Sequence, residues 1–142
     1  MAAPNLSTLK FLILLIILLA FESRAASNGK VTVVIVNVVD VPAKTITVHC
    51  KSKDDDLGFH TVPYLGSYQF SFTPNIFLRT LFFCSFTWPG NPHRHYLEIY
   101  NAKHDSCHEC IWKINKDGGC LNDYKCGPWK SIDLMDAHPS TF

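Results

Sequence analysis

The sequence predicts an all-β protein, a small disulfide-stapled antiparallel β-sandwich of about seven or eight strands. Segment after segment alternates apolar and polar residues with period two, the mark of half-buried strands. Turn-forming residues interrupt the alternation every 8–15 residues or so, the spacing of sandwiches and barrels. No segment after residue 25 sustains a helical period.

The N-terminal residues stand apart from that pattern. A polar stretch ends on Lys10, then "FLILLIILLA" (Phe11–Ala20) is apolar without a break, and "ESRAAS" (Glu22–Ser27) follows with small residues. Basic region, short apolar region and small-residue cleavage site make a secretory signal peptide. Ten strongly apolar residues fall short of the roughly 20 that a spanning helix needs. Ser23 and Ala25 fit a cut after Ala25, with Ala26 as the adjacent alternative. The expected organisation is a signal peptide over 1–25 and one domain over 26–142, secreted, extracellular, not inserted in a membrane, and monomeric. The sequon Asn5-Leu6-Ser7 would leave with the signal peptide.

In the remaining chain, "VTVVIV" (Val31–Val36) is apolar on both faces and reads as a central strand. "KTITVHCK" turns Ile46, Val48 and Cys50 inward, and "SYQFSFT" does the same with Tyr68, Phe70 and Phe72. "LFFCSFTW" places Phe82, Cys84, Phe86 and Trp88 on one face, opposite Leu81, Phe83, Ser85 and Thr87. "YLEIY" and "CIWKIN" turn Leu97 and Ile99, then Cys110, Trp112 and Ile114, to one side. The breakers "DVPAK", "DDDLG", "PYLG", "TPN", "WPGNP", "KHDS" and "KDGG" separate them. The closing "SIDLMDAHPSTF" has weak patterning and reads as a loosely held end.

Charge excludes some functions. Without residues 1–25 the chain carries eleven basic and eleven acidic residues, interspersed, and so has no footprint for nucleic acid or an anionic membrane. The same neutrality argues against a defence protein of the basic antimicrobial kind.

Cys50, Cys84, Cys107, Cys110, Cys120 and Cys126 all follow the signal peptide, and an even count in a small secreted domain reads as disulfides. Cys107-x2-Cys110 with His104 and His108 has zinc-ligand spacing, but an oxidising compartment converts such thiols to bridges. Cys120 and Cys126 flank a short loop and are expected to bridge each other. The other four leave two pairings open: Cys50–Cys110 with Cys84–Cys107, which is preferred, or Cys84–Cys110 with Cys50–Cys107.

Asp54, Asp55 and Asp56 follow a strand and precede Gly58, which places them at a strand connection in solvent. They lack the alternate ligand spacing of a helix-loop-helix calcium site. They read as a structural turn in which one Asp accepts backbone N–H groups while the others meet solvent beside Lys51 and Lys53. No cofactor or metal is expected.

The stretches "VHCKSKDDDLGFH", "YQFSFTPNIF", "TLFFCSFTW", "HYLEIY" and "CHECIWKINKDG" together resemble the plant self-incompatibility protein family of poppy stigma S-proteins and their homologues, over about residues 30–130. The resemblance implies a secreted β-sandwich with disulfides and no catalytic apparatus. It also implies an extracellular signalling ligand for a plant cell-surface receptor, with a role in rejecting self pollen in the poppy members. On that view Asp54, Asp55, Asp56 and Gly58 form either a structural turn or a receptor-contact loop. The sequence departs from the family at Leu78-Arg79, where Gly-Thr is common, and at Cys120 and Cys126, which exceed the four cysteines of the poppy type.

The rival is a secreted histidine-based hydrolase such as a ribonuclease, built from His49, His60, His93 and His95. His49 lies on an outward strand face and not in a cleft of convergent groups, which argues against it.

Overall fold

The computed structural model describes residues 3–40 and 42–130, and the closing stretch 131–142, expected to be loosely held, lies outside the described residues. The chain divides into two compact units after Lys30. The first contains helix α1 (Leu6–Asn28), whose N-cap Asn5 accepts the Thr8 N–H at 2.8 Å. Every side chain from Phe11 to Leu19 on it is exposed. Among the described residues no helix is long and apolar enough to cross a membrane.

The described residues of the second unit form a β-sandwich of nine strands: β1 (Val31–Asn37), β2 (Ile46–Lys51), β3 (Asp56–Val62), β4 (Ser67–Phe72), β5 (Leu81–Trp88), β6 (Asn91–Asn101), β7 (Glu109–Asn115), β8 (Gly118–Leu121) and β9 (Lys125–Pro128). One sheet runs β4-β1-β7-β8-β9, the other β3-β2-β5-β6. The count exceeds the expected seven or eight because β8 and β9, four residues each, are too short to show a period. Pairing is antiparallel except between β1 and β7, which run parallel. These two are far apart in the chain, so no hairpin dictates their relative direction.

β1 lies between β4 and β7, which explains why its sequence is apolar on both faces. Its Val31, Val33 and Ile35 join Phe82, Cys84, Phe86, Trp88, Trp112 and Ile114 in one core. Phe70 and Phe72, expected to be buried, are half-buried because β4 is an edge strand. They still reach the other sheet, with ring centroids 5.2 Å (Phe70) and 4.6 Å (Phe72) from Phe82. Phe83, Ser85 and His49, assigned by alternation to the outer face, are buried as well. β2 and β5 are the inner strands of their sheet, so neighbours shield both faces.

Asn37 ends β1 and is fully buried. Its Nδ2 donates to the carbonyls of Lys44 at 2.5 Å and of Val62 at 3.0 Å, and its Oδ1 accepts the Val39 N–H at 2.9 Å. One side chain thus ties the end of β1 to the end of β3 in the opposite sheet and to the connection leading into β2.

The disulfides are Cys50–Cys84, Cys107–Cys110 and Cys120–Cys126. Both pairings kept open for the first four cysteines are corrected by this finding. Cys50 and Cys84 face each other in register on the adjacent strands β2 and β5. Cys110 sits on β7 in the other sheet and is satisfied from its own preceding loop by Cys107. Strand adjacency decides the pairing, and alternation gives facing but not adjacency.

Two stability measurements follow. Asn37→Ala leaves two carbonyls and one N–H without their partner and should cost on the order of 3 kcal/mol in chemical denaturation; a loss under about 1 kcal/mol would show that water replaces the side chain freely. Removing the Cys50–Cys84 bridge, which closes 34 residues, should cost about 3–4 kcal/mol, against about 2 for Cys107–Cys110 with a separation of 3. Equal losses from the two double Cys→Ala variants would refute that ranking.

Candidate functional site

Four connections gather at one end of the sandwich. Lys51 at the end of β2 pairs with Phe83 at the start of β5, which brings the β2–β3 turn beside the β4–β5 loop. The Ala102 N–H donates to Thr80 O at 2.9 Å, tying in the β6–β7 connection. Lys125 Nζ donates to Asp105 Oδ1 at 3.3 Å, tying in the β8–β9 turn.

The three aspartates divide in role. The β2–β3 turn is closed by Ser52, whose N–H donates to Asp55 O at 2.8 Å and whose Oγ accepts the Asp55 N–H at 3.1 Å. Asp54 and Asp55 are exposed on it. Asp56 opens β3, and its Oδ1 accepts the Gly58 N–H at 2.9 Å and contacts His49 Nε2 at 2.6 Å, with Lys51 Nζ 3.9 Å from Oδ2. Gly58 has φ +75° where the register shifts between β2 and β3. A Cβ there would meet nothing within 4 Å, so backbone conformation and not crowding requires the glycine. The Gly58 N–H, then the His49 ring, hold the Asp56 carboxyl below its ordinary value of 3.8.

The histidines do not converge. His49 is shielded by stacking on the exposed Phe59 at 4.1 Å. His60 stacks on Tyr68 at 4.0 Å and contacts Leu57 O at 2.6 Å. His95 lies between Trp88 and Trp129, 4.8 Å from each ring, and its buried Nε2 has no partner among the described residues. Cys107 and Cys110, the zinc alternative, are bonded to each other. Among the described residues no group of three or more His, Cys, Asp or Glu is placed to hold a metal ion.

What the sequence reading missed is the loop facing the aspartates. Asn75 Oδ1 accepts the Phe77 N–H at 2.7 Å, and the Asn75 N–H donates to Thr80 Oγ1 at 2.7 Å. This holds Ile76, Phe77 and Leu78 outward at 87%, 69% and 54% exposure. Leu78 has φ +57°, a left-handed conformation that costs an ordinary residue roughly 1–2 kcal/mol. The Arg79 guanidinium sits 5.8 Å from the Phe77 ring centre. A groove of about 660 Å³, floored by Phe72 and Phe82, separates this loop from Asp54 and Asp55. The available signal was "NIFL", an apolar run behind an asparagine and outside any alternating segment.

Two titrations should be separable in pH. Burial, then the nearby His93, pushes the His95 pKa below the ordinary 6.5. The unfolded chain then takes up the proton first, so stability is fully present above about 6.5 and falls as pH drops toward the folded value. Asp56 is depressed, so its contribution is present above 3.8 and is lost only as pH falls further. Melting between pH 7.5 and 5 should show the first loss, and His95→Phe should flatten it; an unchanged slope in that variant would assign the loss elsewhere.

Residues 32–132 match the family described as plant self-incompatibility protein S1. S-protein homolog 5 of Arabidopsis thaliana is 47% identical over 89 residues, covering 60% of this chain and 68% of that protein. S-protein homolog 2 of the same plant is 44% identical over 98 residues, covering 60% of each; the matched part is thus less than two thirds of that relative's length. A solved structure of a self-incompatibility protein homologue, described as one of a widespread family of small, highly stable, secreted plant proteins, aligns with TM-score 0.53 at 20% identity. It covers 72% of this chain and 96% of that one.

Proposed function

The chain belongs to the plant self-incompatibility protein S1 family, and from that premise we propose that it is a secreted extracellular ligand for a plant cell-surface receptor, without catalytic activity. On this reading residues 1–25 are a signal peptide, the domain over 26–142 acts outside the cell, and the connections gathered at one end of the sandwich meet the receptor. The observation that carries it is the outward display of Ile76, Phe77 and Leu78. Apolar side chains held in solvent by a strained backbone cost stability, and a contact surface is what such an arrangement serves. Asp54 and Asp55, across the groove, add charges that steer approach and set specificity.

Under this reading Asp56 and Gly58 shape the turn while Asp54 and Asp55 make contact. A role in self-pollen rejection is the form of such signalling that the family's name describes, and it is one case of the proposal.

Leu78→Gly supplies the test, because glycine removes the side chain and accepts φ +57° without strain. Its stability should stay within about 1 kcal/mol of wild type. Labelled, oxidised protein should bind plant plasma-membrane vesicles saturably, and protease treatment of the vesicles should abolish binding. Leu78→Gly and the pair Asp54→Ala with Asp55→Ala should each weaken it at least about tenfold, as loss of a central contact does. Binding that is non-saturable, or indifferent to both changes, would defeat the reading.

A further inference from the structure

A second cavity, of about 460 Å³, opens between β6 of one sheet and β8, β9 and Trp129 of the other. That volume is within the range of small-ligand sites. Leu97 and Pro128 line it together with two indoles, both fixed in place. Trp112 Nε1–H donates to Ile99 O at 2.9 Å, and Trp129 Nε1–H donates to Lys116 O at 2.9 Å. His95 stacks on Trp129, yet Trp129 is only half-buried. An aromatic surface held this way needs no further ordering when a ligand lands on it.

Charged groups also line the cavity. His104 bridges two carboxylates, with Nε2 at 2.9 Å from Glu98 Oε1 and Nδ1 at 3.3 Å from Asp105 Oδ1. The Asp105 side chain is 7% exposed; its Oδ2 accepts the Asn101 N–H at 2.7 Å, and its Oδ1 also accepts from Lys125. Glu98 Oε2 has no protein partner among the described residues, and Lys125 Nζ, bonded once at Asp105, has donors to spare. The lining thus offers an acceptor and a donor beside apolar ring faces. Its two carboxylates are balanced by Lys125 and Lys130, so neither an anion nor a cation is favoured.

We propose that this cavity binds one or two rings of a neutral carbohydrate chain. The C–H face of a sugar ring packs on Trp129, and its hydroxyls donate to Glu98 and accept from Lys125. The cavity adjoins the loop end through His104, Asp105 and Lys125, but Asp54, Asp55 and Ile76–Leu78, the residues to which receptor contact is assigned, do not line it.

The test is a titration of the ¹⁵N-labelled, oxidised protein with short neutral oligosaccharides of glucose and of xylose. An anionic galacturonate oligomer and a cationic glucosamine oligomer run in parallel. A neutral series should shift the Trp112 and Trp129 indole N–H signals saturably in the millimolar range or below. Charged oligomers should bind at least about tenfold more weakly. Glu98→Gln should weaken binding about tenfold, the loss expected for one hydrogen bond to a charged group, with melting unchanged. Gly127→Leu, at a position where a Cβ meets nothing within 4 Å, should keep the fold and obstruct the cavity. The proposal is overturned if no neutral oligosaccharide moves the indole signals, if a charged oligomer binds as well as the neutral ones, or if both variants bind like wild type.

Discussion

No disulfide joins the two sheets. Cys50–Cys84 links neighbours within one sheet, Cys120–Cys126 links neighbours within the other, and Cys107–Cys110 closes a loop onto the strand that follows it. Cohesion between the sheets therefore rests on the shared core and on a few polar ties. Asn37 is the most constrained of these, with three bonds and no exposure. Trp112 Nε1–H to Ile99 O and Lys130 N–H to Tyr96 O, both at 2.9 Å, are two more among the described residues. A bridge stiffens its own sheet and restricts the unfolded chain; buried polar groups that must find partners in the opposite sheet fix how the layers are seated.

The Asn37 geometry recurs. Asp56, Asn75, Asn91, Asn101 and Asn115 each accept the N–H two residues on, at Gly58, Phe77, His93, Lys103 and Asp117. Each side chain imitates a backbone turn and relieves a donor that the departing strand leaves open. This device lets a chain with few glycines at its corners reverse direction repeatedly, and it leaves the residues between anchors free to differ. At the end carrying Asp54, Asp55 and Ile76–Leu78 the anchors are local, and the displayed side chains take no part in them. A surface can change there without touching the seating of the sheets.

The legible parts of the fold were those governed by local periodicity. β2, β5 and β7 announce themselves by apolar residues at alternate positions, and β1 by a short β-branched apolar run. β3 does not, since its burial is irregular and a positive-φ glycine interrupts it. The cysteine pairing stayed closed to the same reading: Cys50, Cys84 and Cys110 all point inward, and only knowing that β5 lies beside β2 selects Cys84. Asp54 and Asp55 lie on the β2–β3 connection, and Asp56 is the first residue of β3. That Asp56 would be the one to accept backbone hydrogen follows from the register shift opposite Cys50, which no composition encodes.

His49 shows how the facing of a side chain and its exposure come apart. It lies on the outward face, yet Phe59 covers it and Asp56 receives its ring nitrogen. Phe59 in turn is left 64% exposed. The cover places hydrophobic surface in water over the ring that Asp56 contacts at 2.6 Å. The turn bearing Asp54 and Asp55 is thereby pinned from its far side, through Asp56, to an inner strand of the sheet. The exposed Asp54 and Asp55 are therefore carried on a backbone held by Ser52 on one side and by the Asp56–His49 contact on the other.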